Sequence, residues 1–317
     1  MIQISYQQVK ELLHLEDLFE PVKQAFIASN SPDLIGIPVN LLHFPNGADT
    51  HIKIAALKGY NYFSIKVVSM FPENVKQNLS PYSGVIFLFD STTGFPAATI
   101  NDKGLITDLR TAAAGAIITD FLAAETAKSV AVIGTGLQAY YQIVALAKLR
   151  EIDQLIIYGR NSNKSLALKE KLTKSNFNFH ISTVNKVEEA VKNSEIIITT
   201  TSSKTPLVKG KWLRKGQHIT AMGADDVYKN EIDSNCFERA DKIFIDNLKL
   251  NTKYGEYSHA LKISPVLIDK TINFGKAFQN KVFSNNQNKI TVAKLVGVGV
   301  QDLAASIVIM NNLKIKE

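Results

Sequence analysis

From Ser129 to Asn247 short apolar, β-branched runs alternate with amphipathic ones, and this rhythm constrains the fold more than any other feature. "SVAVIG", "QLIIYG", "EIIITTT", "HITAMG" and "KIFIDN" read as strands buried on both faces of a parallel sheet. "LQAYYQIVALAKLR" and "SLALKEKLTKS" carry helical spacing between them. Strands and helices in turn predict an α/β, doubly wound Rossmann domain.

Gly134, Gly136 and Ala139 stand directly after the first of these strands and before the first helix, with Leu137 and Gln138 between them, in the pattern G-x-G-x-x-[G/A]. The first glycine permits a tight turn and the second lets backbone approach a pyrophosphate. The small third residue lets helix pack on strand. The helix N-terminus then offers N–H groups and a positive dipole end to phosphate. At the end of the next strand an NAD-binding chain usually places an acid on the ribose 2′-hydroxyl. Here Arg160, Asn161, Ser162 and Lys164 follow instead, a set that suits a 2′-phosphate, so NADP(H) is favoured over NAD(H).

The rest of the chain reads differently. Residues 1–28 have helical spacing. From Ile37 to Ile100, "VNLLHF", "HIKIAAL", "FSIKVVSM" and "GVIFLFD" predict a mostly antiparallel sheet with turn clusters between strands. "TDLRTAAAGAIITDFLAAE" predicts a long helix capped by Thr107 or Asp108, and the tail gives a glycine-broken apolar segment and a last helix.

The bulk numbers exclude several classes. A chain of 317 residues suggests two domains. The excess of 36 basic over 29 acidic residues is scattered rather than blocked, which argues against nucleic acid. No run approaches the ~20 apolar residues of a membrane span, and no secretory leader is seen, so no membrane partner and a cytoplasmic location are expected. The single Cys236 rules out an internal disulfide, and six scattered histidines give no metal site.

"GTGLQA", "LRTAAAG", "SIKVVSMFPEN", "STTGFPAATI", "TTTSSKTPLV", "MGADDVYKNEID" and "GVGVQDLA" follow the order and spacing of the ornithine cyclodeaminase and mu-crystallin family, which the chain resembles over nearly its whole length. The resemblance implies a Rossmann domain (113–299) inserted into an α+β substrate-binding and dimerisation domain (1–112 plus 300–317), and a homodimer. It also implies an NAD(P)-dependent enzyme acting on the Cα–N bond of a small amino or imino acid.

By the same resemblance Lys66 and Arg110 hold the substrate carboxylate, and Asp225 is the acid/base group. Asp226 stands beside it, and the Gly-Ala-Asp register favours Asp225. Thr200, Thr201, Met222, Gly223, Ala224, Lys229 and Leu295 match cofactor-lining positions, and Val296 a substrate-contacting one. Two positions depart from the pattern. Asn40 in "GIPVN", counted among the substrate-binding residues because it can donate a hydrogen bond though no charge, stands where a carboxylate-binding arginine is usual, and Pro81 where a threonine near the nicotinamide is usual, with Tyr82 or Ser83 as substitutes. The reaction expected is ornithine cyclodeamination to proline, or one half of such a cycle as cyclic ketimine reduction or amino-acid dehydrogenation. The alternative is a mu-crystallin-like protein that binds NADPH and a small molecule without significant turnover.

Overall fold

The computed structural model describes all residues except 32–33, 36–38, 176, 281–286 and 317, and of Lys316 only the backbone. Ile37 and the "GIP" of "GIPVN" therefore lie outside the described residues. The chain divides into two compact units, Met1–Arg110 with Val298–Glu317, and Thr111–Gly297.

The first unit is built on a sheet of β1 (Ile2–Ile4), β2 (Leu34–Ile35), β3 (Val39–His43), β4 (Asp49–Leu57), β5 (Tyr62–Met70), β6 (Tyr82–Asp90) and β7 (Pro96–Ile100). The order is β1-β7-β6-β5-β4-β2, with β3 also on β4; all pairs are antiparallel except β1 with β7. The helical reading of residues 1–28 is corrected at its start. Ile2–Ile4 joins the sheet because Ile4 alternates into the core. Ser5 then opens α1 (Tyr6–Leu12), its side chain accepting the Gln8 N–H in a capping box. Helix α2 (Phe19–Ala28) follows, and the C-terminal helix Gly299–Lys316 packs on α1, α2, β4 and β5.

Directly opposed residues of antiparallel strands share a face. The register places Val39, Lys53, Lys66, Ile86 and Ile100 in one row, flanked by Ala55, Ser64, Leu88 and Ala98. From Lys53 to Ile100 this face is buried under the helices. The other face carries Ile52, Ile65, Val67, Val85, Phe63, Phe87 and Phe89, half-buried to exposed, with Phe63 stacked on Phe89 at 4.9 Å between centroids.

Helix α3 (Leu105–Leu122) starts before the expected Thr107/Asp108 cap. Lys103 and Gly104, both at positive φ, turn the chain, and Asp102 Oδ2 accepts the N–H of Ile106 at 2.9 Å. Asp102 therefore serves the helix start, and Thr107 and Asp108 fall inside the first turn.

The second unit contains β8 (Ser129–Ile133), α4 (Leu137–Leu149), β9 (Gln154–Tyr158), α5 (Ser162–Thr173), β10 (His180–Val184), α6 (Val187–Lys192), β11 (Ile196–Thr199) and β12 (His218–Ala221). It continues with α7 (Ser234–Arg239), β13 (Lys242–Ile245), α8 (Leu248–Asn251), α9 (Gly255–Ile263), β14 (Thr271–Asn273), α10 (Phe274–Asn280) and β15 (Thr291–Lys294). The sheet is parallel throughout, ordered β10-β9-β8-β11-β12-β15-β13-β14. Strand order reverses between β8 and β11, the switch point at which doubly wound sheets hold ligands. The "glycine-broken apolar segment" of the tail is in part β15, inserted between β12 and β13. Inside this sheet His218 is fully enclosed, its ring nitrogens 2.8 Å from the hydroxyls of Thr291 and Thr220.

Candidate functional site

The turn after β8 has the geometry of a phosphate cradle. Gly134 lies at φ +132°, and a methyl group there would meet Thr200 Oγ1 at 2.5 Å and Thr200 O at 3.0 Å. Only glycine fits that approach between β8 and the chain leaving β11. Gly136 differs: its φ of −81° suits any residue, and a Cβ would meet nothing within 4 Å. The protein's own packing does not require glycine here, whereas a ligand approaching the backbone would. Gly136 caps α4 with no side chain on the first N–H groups, and Ala139 is fully buried where helix meets strand. Thr200 Oγ1 is buried without a hydrogen-bond partner among the described residues. These residues fit a dinucleotide pyrophosphate.

Next along the same sheet end, β9 runs into Gly159 and Arg160. Asn161 caps α5 through the Lys164 N–H at 3.2 Å, and Arg160, Asn161 and Ser162 are exposed. Their side chains leave room for a polar group beyond the end of β9.

Buried charges hold the ends of β11, β12 and β15. Glu231, fully buried, accepts from the Thr199 hydroxyl at 2.7 Å, from the Gly223 N–H at 2.6 Å and from the Thr201 N–H. Burial pushes its carboxyl up, against the pull of these donors. Lys294, also fully buried, donates to Ala224 O at 2.6 Å and Leu295 O at 3.0 Å and faces Glu256 at 3.4 Å. Desolvation raises Glu256 to about 7 even beside that cation. Asp246 Oδ2 accepts the N–H groups of Val296 and Gly297 at 2.9 and 2.6 Å. Met222, Gly223, Ala224, Leu295 and Val296 are thus fixed at one end of the sheet.

Asp225 follows that frame with its side chain one-third exposed, and Lys229 Nζ lies 2.6 Å from its Oδ1. The neighbouring acid has another task. Asp226 Oδ1 accepts the N–H groups of Tyr228 and Lys229, each at 2.7 Å, and so builds the turn.

The first unit presents a second cluster. Asp302, in the first turn of the C-terminal helix, receives Lys66 Nζ at 2.7 Å and Arg110 Nε at 2.9 Å on one oxygen, Oδ1. Arg110 Nη1 donates to Gln301 Oε1 at 2.8 Å, and Lys66 Nζ to the Thr107 hydroxyl at 3.1 Å. Lys66, Arg110, Gln301 and Asp302 are buried, and Thr107 is half-buried. Burial, with the charges of Arg110 and Lys53, pulls the Lys66 ammonium down to about 7 against the opposing Asp302. For Asp302, burial raises the carboxyl, but Arg110, Lys66 and Lys53 outweigh it and hold it below the ordinary range. One ionised acid between several cations is a setting ready for a further carboxylate.

Asn40 does not join this cluster. It pairs with Ile52, on the sheet face opposite Lys53 and Lys66, and is exposed. Tyr82 and Ser83 are exposed at the start of β6, and Pro81 is half-buried. No group of acids, histidines or cysteine able to hold a metal occurs among the described residues, and no described helix is long and apolar enough to cross a membrane.

The model of the Ornithine cyclodeaminase/mu-crystallin family matches residues 2–317. The chain belongs to that family. It is 34% identical over 302 residues to an uncharacterised cyclodeaminase of Sinorhizobium fredii, covering 94% of this chain and 91% of that protein. An archaeal alanine dehydrogenase dimer with bound NAD superposes with a TM-score of 0.91 at 26% identity, covering 100% of this chain and 97% of that one. The Thermococcus litoralis Δ1-pyrroline-2-carboxylate reductase, solved with NADH and L-proline, gives 0.89 at 26% identity over 99% and 98%. The family signature led to Lys66, Arg110 and Asp225, but not to Lys53, Glu231, Asp246, Glu256, Lys294 or Asp302. In sequence these six look like surface charges; only burial shows that they are not.

Proposed function

We propose that this chain is a nicotinamide-dependent enzyme that reduces the C=N bond of a small imino acid to an amino acid, with NADP(H) as cofactor. The observation that carries this reading is the buried Lys66–Arg110 pair gathered on a single acid, Asp302. A planar guanidinium and an ammonium converging in a buried site recognise a carboxylate and fix the carbon next to it. Gly134, Gly136 and Ala139 with the uncapped start of α4 support the pyrophosphate, and Thr200, Thr201, Met222–Ala224, Lys229 and Leu295 line the same sheet end. Arg160, Asn161 and Ser162 offer donors to a 2′-phosphate and no acid to repel it.

A bound reduced nicotinamide supplies the hydride. Lys66 and Arg110 hold the substrate carboxylate, and Val296 packs against the substrate. Asp225 delivers a proton to the imine nitrogen, or holds it in the reverse direction. Asn40 lies away from the cationic pair and has no part in this assignment. A homodimer is included in the reading: the exposed face with Ile52, Ile65, Phe63, Phe87 and Phe89 gives a second copy an apolar surface to cover.

The test is NADPH oxidation, followed at the nicotinamide absorbance, with pyrroline-2-carboxylate and piperideine-2-carboxylate. Turnover that is lost in Asp225→Asn while NADPH still binds supports the reading. NADPH binding without turnover of either imine, or of ornithine to proline, sinks it in favour of a binding protein. NADPH should be preferred to NADH, and Arg160→Glu should reverse that preference.

A further inference from the structure

The backbone that carries Asp225 is held from outside its own strand. The ladder between β12 and β15 closes with Ala221 opposite Lys294, where the Leu295 N–H donates to Ala221 O at 3.1 Å. Past that point the Lys294 side chain ties the two chains together. Its Nζ donates to Ala224 O at 2.6 Å and to Leu295 O at 3.0 Å. A peptide group is planar, so holding the Ala224 carbonyl also fixes the direction in which the chain enters Asp225. Two neighbouring peptides are anchored as well: the Gly223 N–H donates to Glu231, and Asp226 O accepts the Gly255 N–H at 2.7 Å. At Gly255, with φ +71°, a Cβ would lie 2.5 Å from Ala224 O and 2.7 Å from Lys294 Cε. Helix α9 and Lys294 thus close on one carbonyl, that of the residue before Asp225.

Stability does not account for a fully enclosed lysine here. Replacing a buried ion pair by apolar residues of similar volume is often neutral or stabilising, and Val292 and Ala293 on the same strand are apolar and fully buried. Glu256, just as buried, stands 3.4 Å from Nζ, yet neither of its oxygens has a hydrogen-bond partner among the described residues. It balances the ammonium without drawing it off the two carbonyls. We infer that Lys294 is the positioning residue for Asp225: its ammonium, with Glu256 as counter-charge, holds the Ala224–Asp225 peptide so that the Asp225 carboxyl stands where the imine nitrogen takes its proton. This rests on the acid/base role assigned to Asp225 above. Lys294 acts through the backbone alone. The reaction is unchanged: the C=N carbon takes a hydride from reduced nicotinamide, which is oxidised, and the nitrogen takes a proton from Asp225.

The experiment compares Glu256→Gln with the double variant Glu256→Gln/Lys294→Met. The first keeps the ammonium; the second removes it together with the acid that faces it, so that no unpaired Glu256 charge is left behind. Reduction of pyrroline-2-carboxylate by NADPH is followed in both, and the crystal structure of each is determined. A catalytic group misplaced by about 1 Å can cost a hundredfold. Relative to Glu256→Gln, the double variant should lose about a hundredfold in kcat while KM for the imine stays within about twofold. Its structure should show Asp225 shifted from its 2.6 Å contact with Lys229. Gly255→Ala, which crowds the same carbonyl from α9 and keeps every charge, should give the same split and serves if the double variant does not fold. A kcat kept within about twofold, a loss carried by KM, or an Asp225 that has not moved overturns the proposal. Full turnover in Asp225→Asn sinks the acid/base role instead, and a wild type that reduces no imine sinks the proposed reaction. In both cases the place of Asp225 in the variant structures still decides what Lys294 does.

Discussion

Lys66 Nζ lies 2.7 Å from Asp302 Oδ1, although 236 positions separate the two residues in the chain. The contact fastens the C-terminal helix to the middle of the first sheet, and Arg110 reaches the same oxygen. Removing the acid would leave two buried cations facing each other. Asp302→Asn should lower stability by about 3–5 kcal/mol, read as a lower urea midpoint. A midpoint within experimental error of the wild type would show that the cations find other compensation.

The depressed Lys66 titration gives the proposed carboxylate site a pH dependence. In the free protein the ammonium is lost as pH rises through about 7, while a bound carboxylate favours the charged form. Carboxylate affinity should therefore fall above pH 7, and binding at pH 8 should take up protons from the buffer. Calorimetry in buffers of different ionisation enthalpy measures that uptake; none at pH 8 would mean Lys66 is already charged.

Gly136 separates ligand binding from folding. Because a side chain there meets no protein atom within 4 Å, Gly136→Asp should change stability by no more than about 0.5 kcal/mol. It should nevertheless weaken NADPH binding by about a hundredfold or more, by setting a carboxylate where phosphate is expected. Gly134→Ala should do the reverse in part, since φ +132° and Thr200 leave it no room. Fluorescence titration with NADPH and a thermal melt on each variant check both statements.

His218 should make the second unit acid-sensitive. Burial, with a smaller push from Arg150, lowers its pKa to about 3. The unfolded chain takes up the proton near pH 6.5 and the native one only near 3. Stability is therefore full above pH 6.5 and declines as pH falls towards 3, by up to about 5 kcal/mol. His218→Gln should flatten that part of the stability curve; an unchanged curve would assign acid unfolding to other groups.

The parallel sheet and its glycine turn were legible because their signals are local. Gly134, Gly136 and Ala139 fall within six residues of one another, and each β-branched run is a complete strand in itself. Ile2–Ile4 was hidden because three residues carry too little pattern to compete with the helix that follows. The helix cap at Asp102 was missed because Thr107 and Asp108 are equally good cap types, and only the positive φ of Lys103 and Gly104 decides between them. In the site, Lys66, Arg110 and Asp225 followed from a family pattern. Lys53 alone on a strand reads as an outward charge, and its meaning depends on a register with β5 that no local window contains. Asn40 shows the same effect in reverse: one residue of alternation puts it on the face opposite Lys53 and Lys66.

The last helix has a consequence for how the chain is made. Arg110 leaves the ribosome early, but Asp302 does not emerge until all of Thr111–Gly297 has been translated, roughly ten to forty seconds later at ordinary elongation rates. During that interval the first sheet lacks the helix that covers β4 and β5, and Lys66 and Arg110 lack the Asp302 carboxylate that they share in the finished fold. The middle unit, continuous in sequence, can fold while the outer one waits. Premature termination shortly before Gly299 would therefore yield a finished nucleotide-binding unit attached to an unfinished partner, a species with the exposed apolar surface that chaperones and proteases recognise.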